Sequence, residues 1–202
     1  MKYLAIDTSG KNLTVVLCVD GEIYKYFDKE CGVNHSVALM PKVEEIVKEA
    51  NFSLADVDFF VAVTGAGSFT GIRIGVSTVK ALCFAYKKPC LNITSFDTLA
   101  YNEQCGKTLA VIDAKHGGFY ACGYQDGKED FAPSYILTEQ LQQLQKDYTL
   151  VADSEIAGFN VKTVSVLDGL IKAIEGKKDL VTHDLESLVP LYVRKSQAEE
   201  GR

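Results

Sequence analysis

The run Thr64-Gly65-Ala66-Gly67-Ser68-Phe69-Thr70-Gly71-Ile72-Arg73-Ile74-Gly75 is the stretch best suited to chemistry, because it follows a strand pattern and opens a helix pattern. Backbone N–H groups at a helix N-terminus attract anions, and glycine lets a phosphate or another backbone come close. Gly65, Gly67 and Ser68 are therefore candidate phosphate contacts, with Asp7, Thr8 and Ser9 after the first strand and Asp113 after a later one. Three familiar motifs fail here. A P-loop needs Gly-Lys-Ser/Thr, but Gly71 is followed by Ile72 and Arg73. A nucleophile elbow needs Gly-x-Ser-x-Gly, and Ser68 directly follows Gly67. In a dinucleotide fingerprint the third glycine would come one residue earlier, and an acid would end the next strand, where Asn92 and Thr94 stand. The alternative is a tight strand-to-helix turn that simply needs small residues.

Asp7 and Asp113 each end a strand. Both are placed to hold Mg²⁺ through water if a nucleotide lies between the two halves. The alternative is that each caps the following turn with its own carboxylate. A helical metal site starting at His35 would need a second histidine at position 39, which is Leu39, and His116 and His183 share no spacing with it. No dedicated metal site is expected. The six cysteines are scattered without a Cys-x-x-Cys pair, so they read as small buried hydrophobes rather than as a disulfide framework or a nucleophile.

The elements that must position these groups follow from periodicity. Tyr3 to Asp7, Leu13 to Val19 and Glu22 to Phe27 read as strands, with Asp20-Gly21 as a hairpin turn. A helix follows, with Leu39, Val43, Ile46, Val47 and Ala50 on one face and Lys42, Glu45, Lys48 and Glu49 on the other. Asn34 is its expected N-cap, and Pro41 should kink it or shift its start. Val57 to Val63, the glycine-rich turn with its helix, and Cys90 to Thr94 complete an order βββαβαβ. The pattern then restarts. Leu4-Ala5-Ile6-Asp7 is echoed by Ala110-Val111-Ile112-Asp113, and Asp20-Gly21 by Asp126-Gly127, both at an offset of 106. A duplicated, hairpin-first α/β unit is expected, with subdomains 1–103 and 104–202, a linker near Tyr101 to Lys107, and an abbreviated second copy.

The helix after the glycine-rich turn carries one apolar stripe of Ile72, Val76, Val79, Cys83 and Tyr86 and another of Ile74, Ala81 and Ala85. Gly71, Gly75 and Thr78 form a shallow track between them, and Arg73, Lys80 and Lys87 the only polar ridge. A helix that is apolar nearly all round should be covered on two sides. Its own sheet supplies one; a partner subunit, or the core of a larger fold, supplies the other.

Composition excludes several classes. With 202 residues, 47% hydrophobic and 24% charged, the chain is globular rather than disordered. Its formal net charge of -6 does not suit an unaided nucleic-acid binder. No apolar run is long enough to span a membrane, no signal-peptide layout begins the chain, and a cytoplasmic location is expected.

Ile6-Asp7-Thr8-Ser9, the His35-Ser36 helix start, the long glycine motif, Ile112-Asp113-Ala114 and Pro190-Leu191-Tyr192-Val193-Arg194 together resemble the bacterial TsaB (YeaZ) family, in order along essentially the whole chain. Ala66 departs from the proline usual there. The resemblance implies the actin/sugar-kinase/Hsp70 (ASKHA) fold and a role in forming N6-threonylcarbamoyladenosine (t6A) at position 37 of tRNAs that read ANN codons. In that system a separate enzyme makes threonylcarbamoyl-AMP, the metal-bearing paralogue TsaD transfers its threonylcarbamoyl group, and the ATPase TsaE supports turnover. The resemblance implies a non-catalytic scaffold that docks on TsaD, joins a ternary complex with TsaE, forms homodimers alone and meets tRNA only through the complex. No tightly bound cofactor is implied; ATP or ADP with Mg²⁺ would sit only at the junction with TsaD. The interface implied on the two helices comprises Leu39, Val43, Val47, Ile72, Val76, Val79 and Tyr86, with Gly71 and Gly75 permitting close approach. An ATP-binding phosphotransferase or ATPase is the main alternative, and a glycoprotease-like hydrolase a weaker one.

Overall fold

The computed structural model describes residues 1–29, 34–103, 105–115 and 117–194. Cys31, His116 and Gln104 of the expected linker lie outside the described residues. The first three strands are β1 (Lys2–Asp7), β2 (Leu13–Val19) and β3 (Glu22–Asp28), joined antiparallel, and Asp20 and Gly21 turn the β2–β3 hairpin with φ of 51° and 97°. Positive φ at both central residues gives the turn the hand that matches strand twist. Helix α1 (His35–Glu49), β4 (Phe59–Val63), α2 (Phe69–Tyr86) and β5 (Cys90–Ile93) follow. β4 adds parallel to β1 and β5 parallel to β4, so the sheet order is β3-β2-β1-β4-β5.

The second half repeats this plan. β6 (Lys107–Asp113), β7 (Gly118–Gln125) and β8 (Lys128–Leu137) form the antiparallel set, and β9 (Thr149–Ala152) and β10 (Val161–Thr163) add in parallel. The order is β8-β7-β6-β9-β10, each strand in the place of its counterpart in the first sheet. The abbreviation lies between β9 and β10. Residues 153–160 carry no helix there, whereas α2 joins β4 to β5. The remaining helices are α3 (Ser95–Ala100), α4 (Thr138–Leu144) and α5 (Val166–Lys177).

The core of the first sheet is built by alternation. Leu4 and Ile6 of β1 and Leu13, Val15 and Leu17 of β2 point to the face that α1 and α2 cover. α1 contributes Leu39, Val43 and Ile46. Each such side chain removed from water stabilises the fold by about 1.5–3 kcal/mol. The second sheet packs Leu109, Val111, Phe119 and Ile136 against Leu141 of α4.

Two local expectations differ. Asn34 occupies the N-cap position of α1 but makes no side-chain cap bond, and the helix runs through Pro41 rather than starting at it. Pro41 lies on the exposed side, so its ring costs the helix one hydrogen bond without disturbing the core. The expected boundary at residue 103 also moves. The chain divides into Met1–Ile93 with Gly176–Leu191, and Thr94–Glu175 with the residues from Tyr192. The reason is local chemistry. Thr94 ends β5 as the N-cap of α3, in a capping box with Asp97, and so starts the second unit. Thr182 returns to β5, exchanging two backbone hydrogen bonds with Cys90 (2.8 and 2.9 Å). Among the described residues no helix is long and apolar enough to cross a membrane.

Candidate functional site

The turn after β1 and the glycine-rich turn before α2 are one assembly. Asp7 Oδ1 accepts from the Ser9 N–H (2.8 Å) and the Ser9 hydroxyl (2.6 Å), which closes the turn locally. The Ser68 N–H donates to the Ser9 carbonyl at 2.6 Å, and the Thr8 hydroxyl to the Gly71 carbonyl at 2.7 Å. Ser68 caps α2 by accepting from the Gly71 N–H at 3.2 Å. The bare faces of the glycines are turned to this assembly. A Cβ on Gly67 would overlap the Ser9 carbonyl oxygen, and one on Gly71 the Thr8 carbonyl oxygen. Gly75 lies against the Thr8 hydroxyl, and Gly65 against Ile72 and the Leu191 carbonyl. Glycine is required here because two segments of the chain's own backbone meet within van der Waals distance.

Six of the seven candidate phosphate contacts thus come together at the start of α2. Asp113 lies in the second unit, where it repeats the role of Asp7. Its Oδ1 accepts from the Lys115 N–H at 2.7 Å, and its Oδ2 pairs with Lys115 Nζ at 2.8 Å. Both aspartates therefore cap the residue two positions on. His35 is buried, with Nε2 3.1 Å from the Asn12 carbonyl oxygen. Among the described residues no group of three or more His, Cys, Asp or Glu side chains could hold a metal ion.

The residues assigned to a partner interface need correction. Leu39, Val43, Ile72, Val76 and Val79 are buried in this chain's own core, and Val47 packs against that core. Gly71 and Gly75 permit close approach of the chain's own Thr8 turn rather than of a partner. Tyr86 is 38% exposed, with its ring tilted against Phe60 at 6.0 Å between centroids. The 72/76/79/83 stripe is the side the sheet takes, because it shares one core with Leu4 and Ile6 of β1, Phe60 and Ala62 of β4 and Cys90 of β5.

The outward side of the same two helices carries the second apolar stripe and more. Ala81 and Ala85 are exposed and Ile74 is half-buried, while Phe84 is 81% and Val37 75% exposed. Met40 is also exposed. A groove of about 500 Å³ runs between α1 and α2, lined by Ser36, Leu39, Met40, Thr70, Arg73, Ile74, Ser77 and Thr78. Arg73 lies over the Phe69 ring, 3.9 Å from its centroid, at one end. Sequence reasoning missed Phe84, Val37 and Met40. The available signal was that Phe84 falls one helical turn from Ala81 and one residue, about 100°, round the helix from Cys83 of the buried stripe.

Duplicated βββαβα-type units on two five-stranded sheets place the chain in the ASKHA class of α/β proteins. The family model for TsaD, tRNA N6-adenosine threonylcarbamoyltransferase, matches residues 29–168. The tRNA threonylcarbamoyladenosine biosynthesis protein TsaB of Escherichia coli K12 is 30% identical, with 75% of this chain and 71% of that protein covered. TsaB of Bacillus subtilis 168 is 29% identical over 98% of this chain and 96% of its own length. The solved structure of YeaZ from Pseudomonas aeruginosa superposes with a TM-score of 0.73 at 22% identity, covering 95% of this chain and 99% of that one. The chain belongs to the TsaB (YeaZ) family.

Proposed function

We propose that this chain is a non-catalytic subunit in the formation of t6A on tRNA, and that it acts by docking a TsaD-type transferase on the outward face of α1 and α2. The observation that carries this reading is the apolar face itself: Phe84, Val37 and Met40 stand exposed beside Ile74, Ala81 and Ala85. Covering large apolar side chains of this kind releases about 1.5–3 kcal/mol each. A TsaD-type partner is favoured because the TsaD family model matches this chain across both helices, residues 29–168. A paralogue with an equivalent helix pair can meet it nearly symmetrically, and a second copy of this chain can use the same face when the partner is absent.

Activation requires contacts that favour the active arrangement of the transferase over its other states. In this reading ATP or ADP with Mg²⁺ binds where the two chains meet, TsaE joins the pair, and tRNA is held mainly by other subunits. The net charge of -6 is consistent with that division.

The test is reconstitution of tRNA modification from purified components, with this chain, without it, and with Phe84→Asp or Val37→Asp. Activity should depend on the chain and fall with either variant, in step with lost co-purification of the transferase. Full modification without the chain would overturn the proposal. So would full activity of both variants.

A further inference from the structure

We infer that the cavity at the C-terminal ends of β6 and β9 is a binding site for a small alkylammonium ion, a cation carried on a short aliphatic stem. The cavity has a volume of about 230 Å³ and lies wholly within the second unit. β6 and β9 run parallel as neighbours, with Ala110 opposite Val151, and their last residues, Asp113 and Ala152, both line it. Ligands of parallel sheets bind outside such strand ends. The opening follows from the abbreviation of the second copy. In the first unit the position after β4 is filled by the glycine-rich turn, where Gly67 and Gly71 press on the carbonyls of Ser9 and Thr8. After β9 no helix follows, and residues 153–157 line the gap instead of closing it.

The walls decide what fits. Val111 and Phe119 belong to the second sheet's core and form the floor, and Ile156 packs against the same core. Phe119 meets Phe159 edge-on, with ring centroids 5.9 Å apart, which holds the floor in place. The rim carries the carboxylates of Asp113, Asp153 and Glu155, all on exposed residues, whereas Val111 and Phe119 are buried. Among the described residues no lysine or arginine lines the cavity. Lys115 Nζ lies 2.8 Å from Asp113 Oδ2, so the chain already seats one ammonium group on this rim. Asp153 accepts from the Ser154 hydroxyl at 2.9 Å, and among the described residues neither Asp153 nor Glu155 has a basic partner.

An anion, a nucleotide phosphate included, is repelled by this rim. A bare metal ion is not suited either. Among the described residues no three acidic, His or Cys side chains are grouped to hold one, and the apolar floor offers it no ligand. An alkylammonium ion satisfies both parts. Its N–H groups donate to Asp153 and Glu155 while its methylenes cover Val111, Phe119 and Ile156. The volume lies below the roughly 300–1,000 Å³ of drug-sized sites, which limits the ligand to a small one. The site is separate from the outward face of α1 and α2, and its test does not depend on the docking proposal.

The test is a titration of the full, isotope-labelled chain at neutral pH and constant ionic strength, followed by its amide chemical shifts. The probes are methylammonium, n-butylammonium and n-hexylammonium, with n-butanol and butyrate as neutral and anionic counterparts. The two longer ammonium ions should give saturable shifts confined to the ends of β6 and β9 and to residues 153–157. They should bind about ten-fold more tightly than n-butanol, and methylammonium more weakly than either. Asp153→Asn with Glu155→Gln should weaken binding about ten-fold and leave the spectrum of the first unit unchanged. Saturable shifts with none of the three ammonium ions would overturn the inference. So would equal binding of n-butanol, equal binding of methylammonium, or undiminished affinity in the double variant.

Discussion

Substituting Gly71 by alanine would drive a methyl group into the Thr8 carbonyl oxygen, and neither partner can yield cheaply. The Thr8 hydroxyl is already bonded to the Gly71 carbonyl, so moving the helix breaks that bond too. Gly71→Ala is expected to cost about 3 kcal/mol or more, whereas Gly75→Ala meets only the Thr8 hydroxyl, at 2.6 Å, and should cost about 1 kcal/mol. Denaturant midpoints of the two variants check the order. A second prediction concerns Tyr124, whose hydroxyl donates to buried Asp97 at 3.0 Å. Tyr124→Phe removes a bond to a charged group and should cost about 1.5–3 kcal/mol. Burial, and then the Asp97 charge, raise the Tyr124 pKa, so above the ordinary tyrosine range only the unfolded chain loses that proton. Stability should fall with rising pH there, and less steeply in Tyr124→Phe, as urea titrations at several pH values would measure. The glycine motif was legible at this scale as a close approach. What approaches was not, because a missing Cβ does not say whether a phosphate, a partner or the chain itself fills the space.

α1 and α2 are apolar on more than one side, and apolar residues of the same helix can have opposite fates. Val76→Asp would bury a carboxylate among the first sheet's core residues and is expected to unfold the protein or cost over about 4 kcal/mol. Phe84→Asp changes an 81% exposed position and should leave the melting temperature within about 2 °C. It should nevertheless weaken partner binding about ten-fold or more, readable by calorimetry or co-purification. Helical periodicity found both stripes of α2 but could not say which one the sheet takes, since Ile, Val and Ala on either side satisfy the same spacing rule.

Leu188 lies late in the chain yet is fully buried in the first unit's core. Leu188→Ala should cost about 2–5 kcal/mol through lost burial and a cavity. Ending the chain after Glu175 should be worse, because Cys90 would lose both backbone bonds to Thr182 and the Thr64 carbonyl its bond from the Leu191 N–H (2.7 Å). Thermal unfolding of both variants tests this.

The sequence by itself determined the strands of the first half, the two Asp-Gly hairpins, the order βββαβαβ and the repetition at an offset of 106, because side-chain period and turn chemistry are local properties. Family membership was equally legible, in motifs that are contiguous in the chain. Tertiary structure alone decided the return of Gly176–Leu191 to the first unit and the burial of the stripe first assigned to a partner. Each of these depends on which surfaces come to share one layer, and local spacing carries no information about a neighbour distant in sequence or across a fold in the chain.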